Sequence, residues 1–129
     1  MSITVKWFND EHKIVHWDIE GAWNWDDVYL SLDEANALLD TVDHTVHTIV
    51  DVRNSPLIPG GTITQLKNLV NKQHPQAGIS VFVTTNTFAR SVFMMFSKLT
   101  GKAGERFRLV ATPEEALTLI AAVQDEWAR

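Results

Sequence analysis

Short β-branched runs alternate with longer amphipathic segments, and this alternation constrains the fold more than any other feature of the chain. The run Val46–Val52 is typical of a buried parallel strand, and Ile79–Thr84 repeats the pattern. Between them, Thr62–Gln73 carries apolar residues at helical spacing. A third short run, Phe107–Val110, follows another helical segment, Phe88–Leu99. Strands that alternate with helices of this length predict right-handed crossovers and a mostly parallel sheet.

Two more strands are expected at the start of the chain. Ile3–Phe8 and Val15–Glu20 each alternate apolar with polar residues, and the polar segment between them predicts a hairpin near an edge of the sheet. Asn24 is a suitable N-cap for a first helix, and Thr112–Glu115 has the cap, proline and glutamate of a last one. The predicted order is ββαβαβαβα, an α/β fold with a mixed, mostly parallel five-stranded sheet covered by four helices.

The size and composition fit one globular domain. The chain has 129 residues, 45% of them hydrophobic and 21% charged, so we treat 1–129 as a single domain. It has no cysteine, which excludes disulfides, thiolate metal sites and a cysteine nucleophile. The first residues lack the pattern of a signal peptide, and no apolar run is long enough to span a membrane. We therefore expect a soluble, cytoplasmic domain.

Charge is distributed unevenly along the chain. The net charge is −5, but residues 1–51 carry −9 and residues 52–129 carry +4. An acidic chain binds nucleic acid poorly, because phosphate contacts need a concentrated basic surface. We expect no nucleic-acid partner.

Three segments together resemble a known family. They are Ile19–Trp23 before the first helix, Thr48–Val52 before the central loop, and Phe107–Ala116 leading into the last helix. With the element order, they resemble the STAS domain, the anti-sigma-factor-antagonist fold, and more closely its SpoIIAA-like branch of STAS/SEC14 type. The resemblance implies a regulatory module that acts by contact with another protein.

The functional motif of that family differs here. Regulatory STAS domains have Asp-Ser-Ser-Gly after the central strand, and a partner kinase phosphorylates the first serine. The corresponding stretch here is Pro59–Thr62, and Gly60 occupies the acceptor position without a hydroxyl. Two displaced hydroxyls lie nearby, but Ser55 is explained as a turn residue and Thr62 as a helix N-cap. The sequence leaves open whether either is phosphorylated.

The same loop is a candidate ligand- or partner-binding site. Its residues Pro59, Gly60, Gly61 and Thr62 follow a parallel strand and open a helix, which is where ligands bind open α/β sheets. Free N–H groups at a helix start can hold an anion. The alternative is that Gly-Gly is a simple connector.

An apolar pocket is a second candidate. Trp17, Trp23 and Trp25 cluster around the first crossover, where they either line a pocket or pack in the core. Asp51 is a carboxylate inside a buried-looking strand, so it joins Trp17 and Trp23 as a candidate pocket residue. Arg53 is on the same side of that strand, which predicts a local ion pair.

The helix Phe88–Leu99 is the third candidate, as an interaction surface. Helical spacing predicts an inward face of Phe88, Val92, Met95, Phe96 and Leu99. The flank and outer face then carry the candidate contact residues, which are Arg90, Phe93, Met94 and Ser97.

Nothing in the sequence indicates catalysis. The five histidines form no ligand pattern and are expected at the surface, and no nucleophile elbow or carboxylate pair is visible. We expect no metal and no cofactor. The sequence thus favours a non-enzymatic, STAS-like interaction module that contacts a partner protein or forms a homodimer. The alternative is a carrier or sensor of a small apolar or anionic ligand, either lipid-like or a nucleotide.

Overall fold

The computed structural model describes residues 3–55 and 59–127, without the side chains of residues 102–104, 126 and 127. The central loop of the sequence analysis therefore includes residues 56–58 that lie outside the described part. The strands are β1 (Ile3–Trp7), β2 (Ile14–Glu20), β3 (Val46–Asn54), β4 (Ala77–Val83) and β5 (Phe107–Val110). The helices are α1 (Trp25–Leu39), α2 (Thr62–Asn71), α3 (Thr87–Thr100) and α4 (Pro113–Trp127), with a 3₁₀ turn at Gly101–Arg106.

The strands lie in one sheet in the order in which they occur in the chain. β1 pairs antiparallel with β2, and every later pair is parallel. The predicted α/β fold with a mixed, mostly parallel five-stranded sheet and four helices is confirmed. The predicted hairpin is also confirmed, with β1 at the edge of the sheet. None of the described helices has the length and apolar character that a membrane crossing requires.

The sheet has two differently covered faces, which we call the front and the back. The front face carries Trp17, Val50 and Phe82, and it is covered by α1, α2 and α3. The back face carries Ile49 and Val81, and α4 packs on it. Among the described residues, the clusters on the front face therefore contain more buried apolar side chains than the cluster beneath α4.

The helix starts follow local capping chemistry. Asn24 caps α1: its side chain accepts from the Asp27 N–H at 2.9 Å, and the Asp27 carboxylate accepts from the Asn24 N–H at 3.2 Å. Thr112 accepts from the Glu115 N–H at 3.1 Å at the start of α4. Both predicted N-caps are confirmed.

The start of α2 differs from the sequence interpretation. The N-cap is Gly61 and not Thr62, because the chain enters the helix through a left-handed conformation with φ of 77°. Glycine adopts that region without steric cost. The Thr62 hydroxyl instead donates to the Pro59 carbonyl at 2.6 Å and tightens the loop from inside the first turn.

The inward face of α3 was predicted wrongly. Phe96 is fully buried as expected, but Phe88, Met95 and Leu99 are 64%, 55% and 59% exposed. Phe93, expected on the flank, is half-buried and its ring centroid lies 5.8 Å from that of Phe82. α3 has large apolar residues on more than one face, so helical spacing alone does not predict which face is buried. The buried face is the one that packs against the aromatic rings of the sheet.

A β-bulge at the start of β4 depends on Gly78 and His47. The register with β3 shifts between the pairs Val46–Ala77 and Thr48–Ser80, so β4 has one extra residue there. The Ile79 N–H in this bulge donates to His47 Nδ1 at 3.0 Å. His47 is only 2% exposed, which corrects the expectation that all five histidines lie at the surface. Burial lowers the pKa of the His47 imidazole below its ordinary value and so favours the neutral ring, whose Nδ1 accepts this hydrogen bond.

We expect the stability of the protein to fall on acidification below pH 6.5. Burial also lowers the pKa of His16, so the unfolded chain binds protons at His16 and His47 that the folded chain excludes. The free energy of unfolding is therefore unaffected by these two groups well above their ordinary pKa of 6.5, and it falls as the pH drops from there toward the folded pKa values. Each group lowers the free energy of unfolding by at most about 1.4 kcal/mol per pH unit. Urea midpoints between pH 7.5 and 5.0 measure this, and a His16→Asn variant should retain the His47 part. Equal midpoints across the range would be incompatible with a buried neutral His47.

Candidate functional site

A cavity of about 180 Å³ lies between the front face and the three helices that cover it. Its floor consists of side chains from the sheet, among them Trp17, Val50 and Phe82. Its walls are apolar residues of the helices, including Leu32 and Ala35 of α1, Leu66 of α2 and Val92 of α3. The lining is mainly hydrocarbon and aromatic, which is the composition of small-molecule sites.

The size of this cavity is unusual for a protein interior. Interiors are packed as densely as organic crystals and hold few voids larger than a water molecule. An engineered apolar cavity of about 150 Å³ stays dry and binds benzene. The three helices therefore leave this part of the sheet face incompletely covered, and lining atoms that face the open space lack the dispersion partners of a packed core.

Two of the predicted site features come together at one end of the cavity. Trp23 and Trp25 lie edge to face with ring centroids 4.9 Å apart. The Trp23 indole N–H donates to the Ser55 hydroxyl at 2.7 Å, and the Trp25 indole N–H donates to the Gly60 carbonyl at 3.2 Å. The tryptophans at the start of α1 are thereby joined to the loop between β3 and α2. Trp17 and Trp23, which were predicted as pocket residues, both line the cavity. Thr62 of the predicted loop also lines it.

The other predicted loop residues lie outside the cavity lining. Gly60 and Gly61 are exposed and have open space around them, while Pro59 is half-buried and accepts from Thr62. Gly60 uses its carbonyl to fix Trp25. Gly60 thus holds a cavity residue in place through its backbone without lining the cavity itself.

Polar contacts join α1 to α2 across the rim of the cavity. The Tyr29 hydroxyl donates to the Gln65 side-chain oxygen. The Lys72 ammonium lies 5.5 Å from the centroid of the Tyr29 ring, within the range of a cation–π contact. These two contacts hold α1 beside α2 at the rim of the cavity.

Sequence analysis missed two hydroxyl groups on the floor of the cavity. Thr48 and Ser80 both line it, and they are register partners on the adjacent strands β3 and β4. Within the described part of the chain, neither hydroxyl makes a hydrogen bond to another protein group. In the sequence each is one small polar residue inside an apolar run. Only the strand register shows that they are neighbours.

Asp51 is not a pocket residue, although it was grouped with Trp17 and Trp23. Strand side chains alternate between faces, so Val50 faces the cavity and Asp51 faces the back of the sheet. There it forms the predicted ion pair: Arg53 donates from Nη2 at 2.8 Å and from Nε at 3.0 Å. Burial alone raises the pKa of Asp51, but the hydrogen bonds and charge of Arg53 outweigh burial and lower it. The Asp51 carboxylate is thereby held ionised by a local structural partner.

The predicted interaction surface is partly rearranged. Arg90, Met94 and Ser97 are exposed as expected, but Phe93 is half-buried against the sheet. The apolar residues that replace it at the surface are Phe88, Met95 and Leu99.

No metal-binding group is found within residues 3–55 and 59–127. The described histidines and carboxylates nowhere form a group of three that could ligate an ion. His74 instead bonds Asp40 at 2.7 Å.

Comparison with known proteins assigns no family to the chain. No protein-family model matches it, and no curated protein matches it. The resemblance to the STAS domain therefore stays a prediction from the sequence pattern, while the α/β architecture is a property of the structure.

Proposed function

We propose that this chain is a non-enzymatic binding protein for a small, mainly apolar molecule that occupies the cavity on the front face. The observation that carries the proposal is the cavity itself, about 180 Å³ of apolar space beneath α1, α2 and α3. The sequence left two functions open, an interaction module and a carrier or sensor of a small ligand. The proposed function is the second of these, with an apolar ligand. The described side chains around the loop between β3 and α2 offer no comparable support for an anion or nucleotide.

Energetics favour a filled cavity. Lining atoms that face the open space lack dispersion partners, and an apolar ligand restores those contacts. Trp17, Trp23 and Trp25 all line the cavity, and they give a ligand large, rigid surfaces. The space matches a molecule with about the bulk of a substituted benzene ring.

Titration calorimetry with toluene tests the proposal. We expect saturable, one-site binding with a dissociation constant of about 1 mM or lower, which corresponds to about −4 kcal/mol. Binding should also change the tryptophan fluorescence, because Trp17 and Trp23 line the cavity. A flat titration with unchanged fluorescence up to the solubility limit of toluene would overturn the proposal.

The exposed apolar stripe of α3 favours a second function, self-association. Phe88, Met95 and Leu99 follow each other at helical spacing and are each more than half exposed. A two-fold contact sets two copies of α3 antiparallel, with Phe88 opposite Leu99 and Met95 near the axis. Arg90 lies about half a helical turn away and stays in solvent. This is the interaction role that the STAS resemblance implies, with a second copy as the partner.

Sedimentation velocity tests the self-association. We expect a dimer for the unmodified chain and a monomer for a variant with Phe88→Lys and Leu99→Lys, because two buried ammonium groups per copy would oppose the contact. Ser97→Lys, on the other flank of the same helix, should leave the dimer intact. A monomer at all concentrations for the unmodified chain would exclude this second function.

A further inference from the structure

We infer that the cavity selects ligands carrying one hydrogen-bonding oxygen, such as an alcohol or a ketone, attached to a compact apolar body. This inference rests on the proposed function and specifies the ligand class. Thr48 and Ser80 provide the polar contact, and the surrounding lining provides the apolar one.

The two hydroxyls are placed so that one ligand oxygen can form hydrogen bonds with both of them. Thr48 and Ser80 are register partners on parallel strands, so their backbones are about 4.8 Å apart. Both side chains point into the cavity. Hydroxyls on side chains this close can both reach one oxygen placed between them at the usual hydrogen-bond length of about 2.8 Å. A single ligand oxygen can therefore contact both.

The other hydroxyl groups of the lining are already engaged. Ser55 accepts from Trp23 and donates to the Gly21 carbonyl, and Thr84 accepts from the Asn86 N–H. Thr62 donates to Pro59. Within the described residues, Thr48 and Ser80 are thus the cavity hydroxyls whose bonding capacity is unused.

Next to these hydroxyls the cavity is apolar. The following front-face residues on the same two strands are Val50 and Phe82, and Phe107 of β5 pairs with Ser80. A hydrocarbon that fills the cavity takes these hydroxyls out of contact with water and leaves them unpaired, which is costly, whereas a ligand oxygen pairs with them and avoids that cost. The site therefore discriminates between otherwise similar ligands by one polar group.

Competition between benzyl alcohol and toluene tests the inference, because the two differ by one hydroxyl. The measured quantity is the ratio of their dissociation constants in the unmodified chain and in a Thr48→Val, Ser80→Ala variant. We expect the double substitution to shift the ratio toward toluene by about tenfold, since each hydrogen bond contributes several-fold in affinity. The single variants should each give an intermediate shift, and Thr48→Ser should keep the original ratio.

The outcomes separate the inference from the proposed function. If the double variant binds toluene and its ratio equals that of the unmodified chain, the hydroxyl pair has no role and the inference is wrong, while the proposed function stands. If the unmodified chain binds neither compound, both fail. Retained toluene binding by the variant also shows that it is folded, because the cavity exists only in the folded state.

Discussion

Replacing Gly78 with alanine should destabilise the protein by about 4 kcal/mol or more. A Cβ at this position would lie 2.2 Å from Nδ1 and 2.4 Å from Cε1 of the buried His47 ring. These distances are far inside van der Waals contact, so the ring must move. Its movement breaks the hydrogen bond from the Ile79 N–H and leaves a buried donor unpaired. Overpacking and a lost buried hydrogen bond each cost about 1–3 kcal/mol.

Equilibrium urea unfolding measures this effect, and two further variants isolate its cause. Gly60→Ala is the matched control, because a Cβ there meets nothing within 4 Å and the backbone is not left-handed. It should change the free energy of unfolding by less than about 0.5 kcal/mol. In a His47→Ala background, Gly78→Ala should cost much less than in the unmodified chain. An equally large cost there would mean that the ring is not the obstacle.

Replacing Ala35 with leucine should stabilise the protein and remove most of its ligand binding. Ala35 is buried on α1 and its side chain faces the cavity. Leucine places three more carbons in space that is already open, which is worth about 2 kcal/mol at about 0.8 kcal/mol per buried CH₂ group. The same carbons occupy the volume that toluene needs, so toluene affinity should fall at least tenfold.

Ala37→Leu is the control for this substitution. Ala37 is exposed on the same helix, so leucine there has a similar helix propensity but fills no cavity. Its unfolding free energy and toluene affinity should stay within error of the unmodified chain. A destabilised Ala35→Leu variant with unchanged toluene affinity would show that the space between α1 and the sheet is not the binding site.

The sequence was sufficient for the architecture because the architecture depends on local periodicity. The β-branched run Val46–Val52 and the capping signals at Asn24 and Thr112 each act over a few residues, and the structure has those elements where they were expected. Two element ends differ from the prediction. α2 ends at Asn71 and not at Gln73, and β4 begins at Ala77 and not at Ile79. The bulge at Gly78 explains the second shift, since it interrupts the alternation that marks a strand.

The site was less predictable because it depends on contacts between distant segments. Whether Trp17 and Trp23 fill the core or line a space depends on the height at which α1 and α2 sit above the sheet. The pairing of Thr48 with Ser80 depends on strand register, and so does the position of Asp51 on the opposite face. For α3, several apolar faces were available, and only the rings on the sheet decided between them.

Methyl NMR spectra recorded during a toluene titration examine the binding cavity residue by residue. We expect toluene to shift the methyl signals of Val50, Leu66 and Leu32, which line the cavity. The methyls of Val81 and Val123 belong to the core beneath α4 and should not move, so they serve as an internal reference. Unchanged spectra at saturating toluene, or shifts spread equally over both faces of the sheet, would show that no specific binding cavity exists.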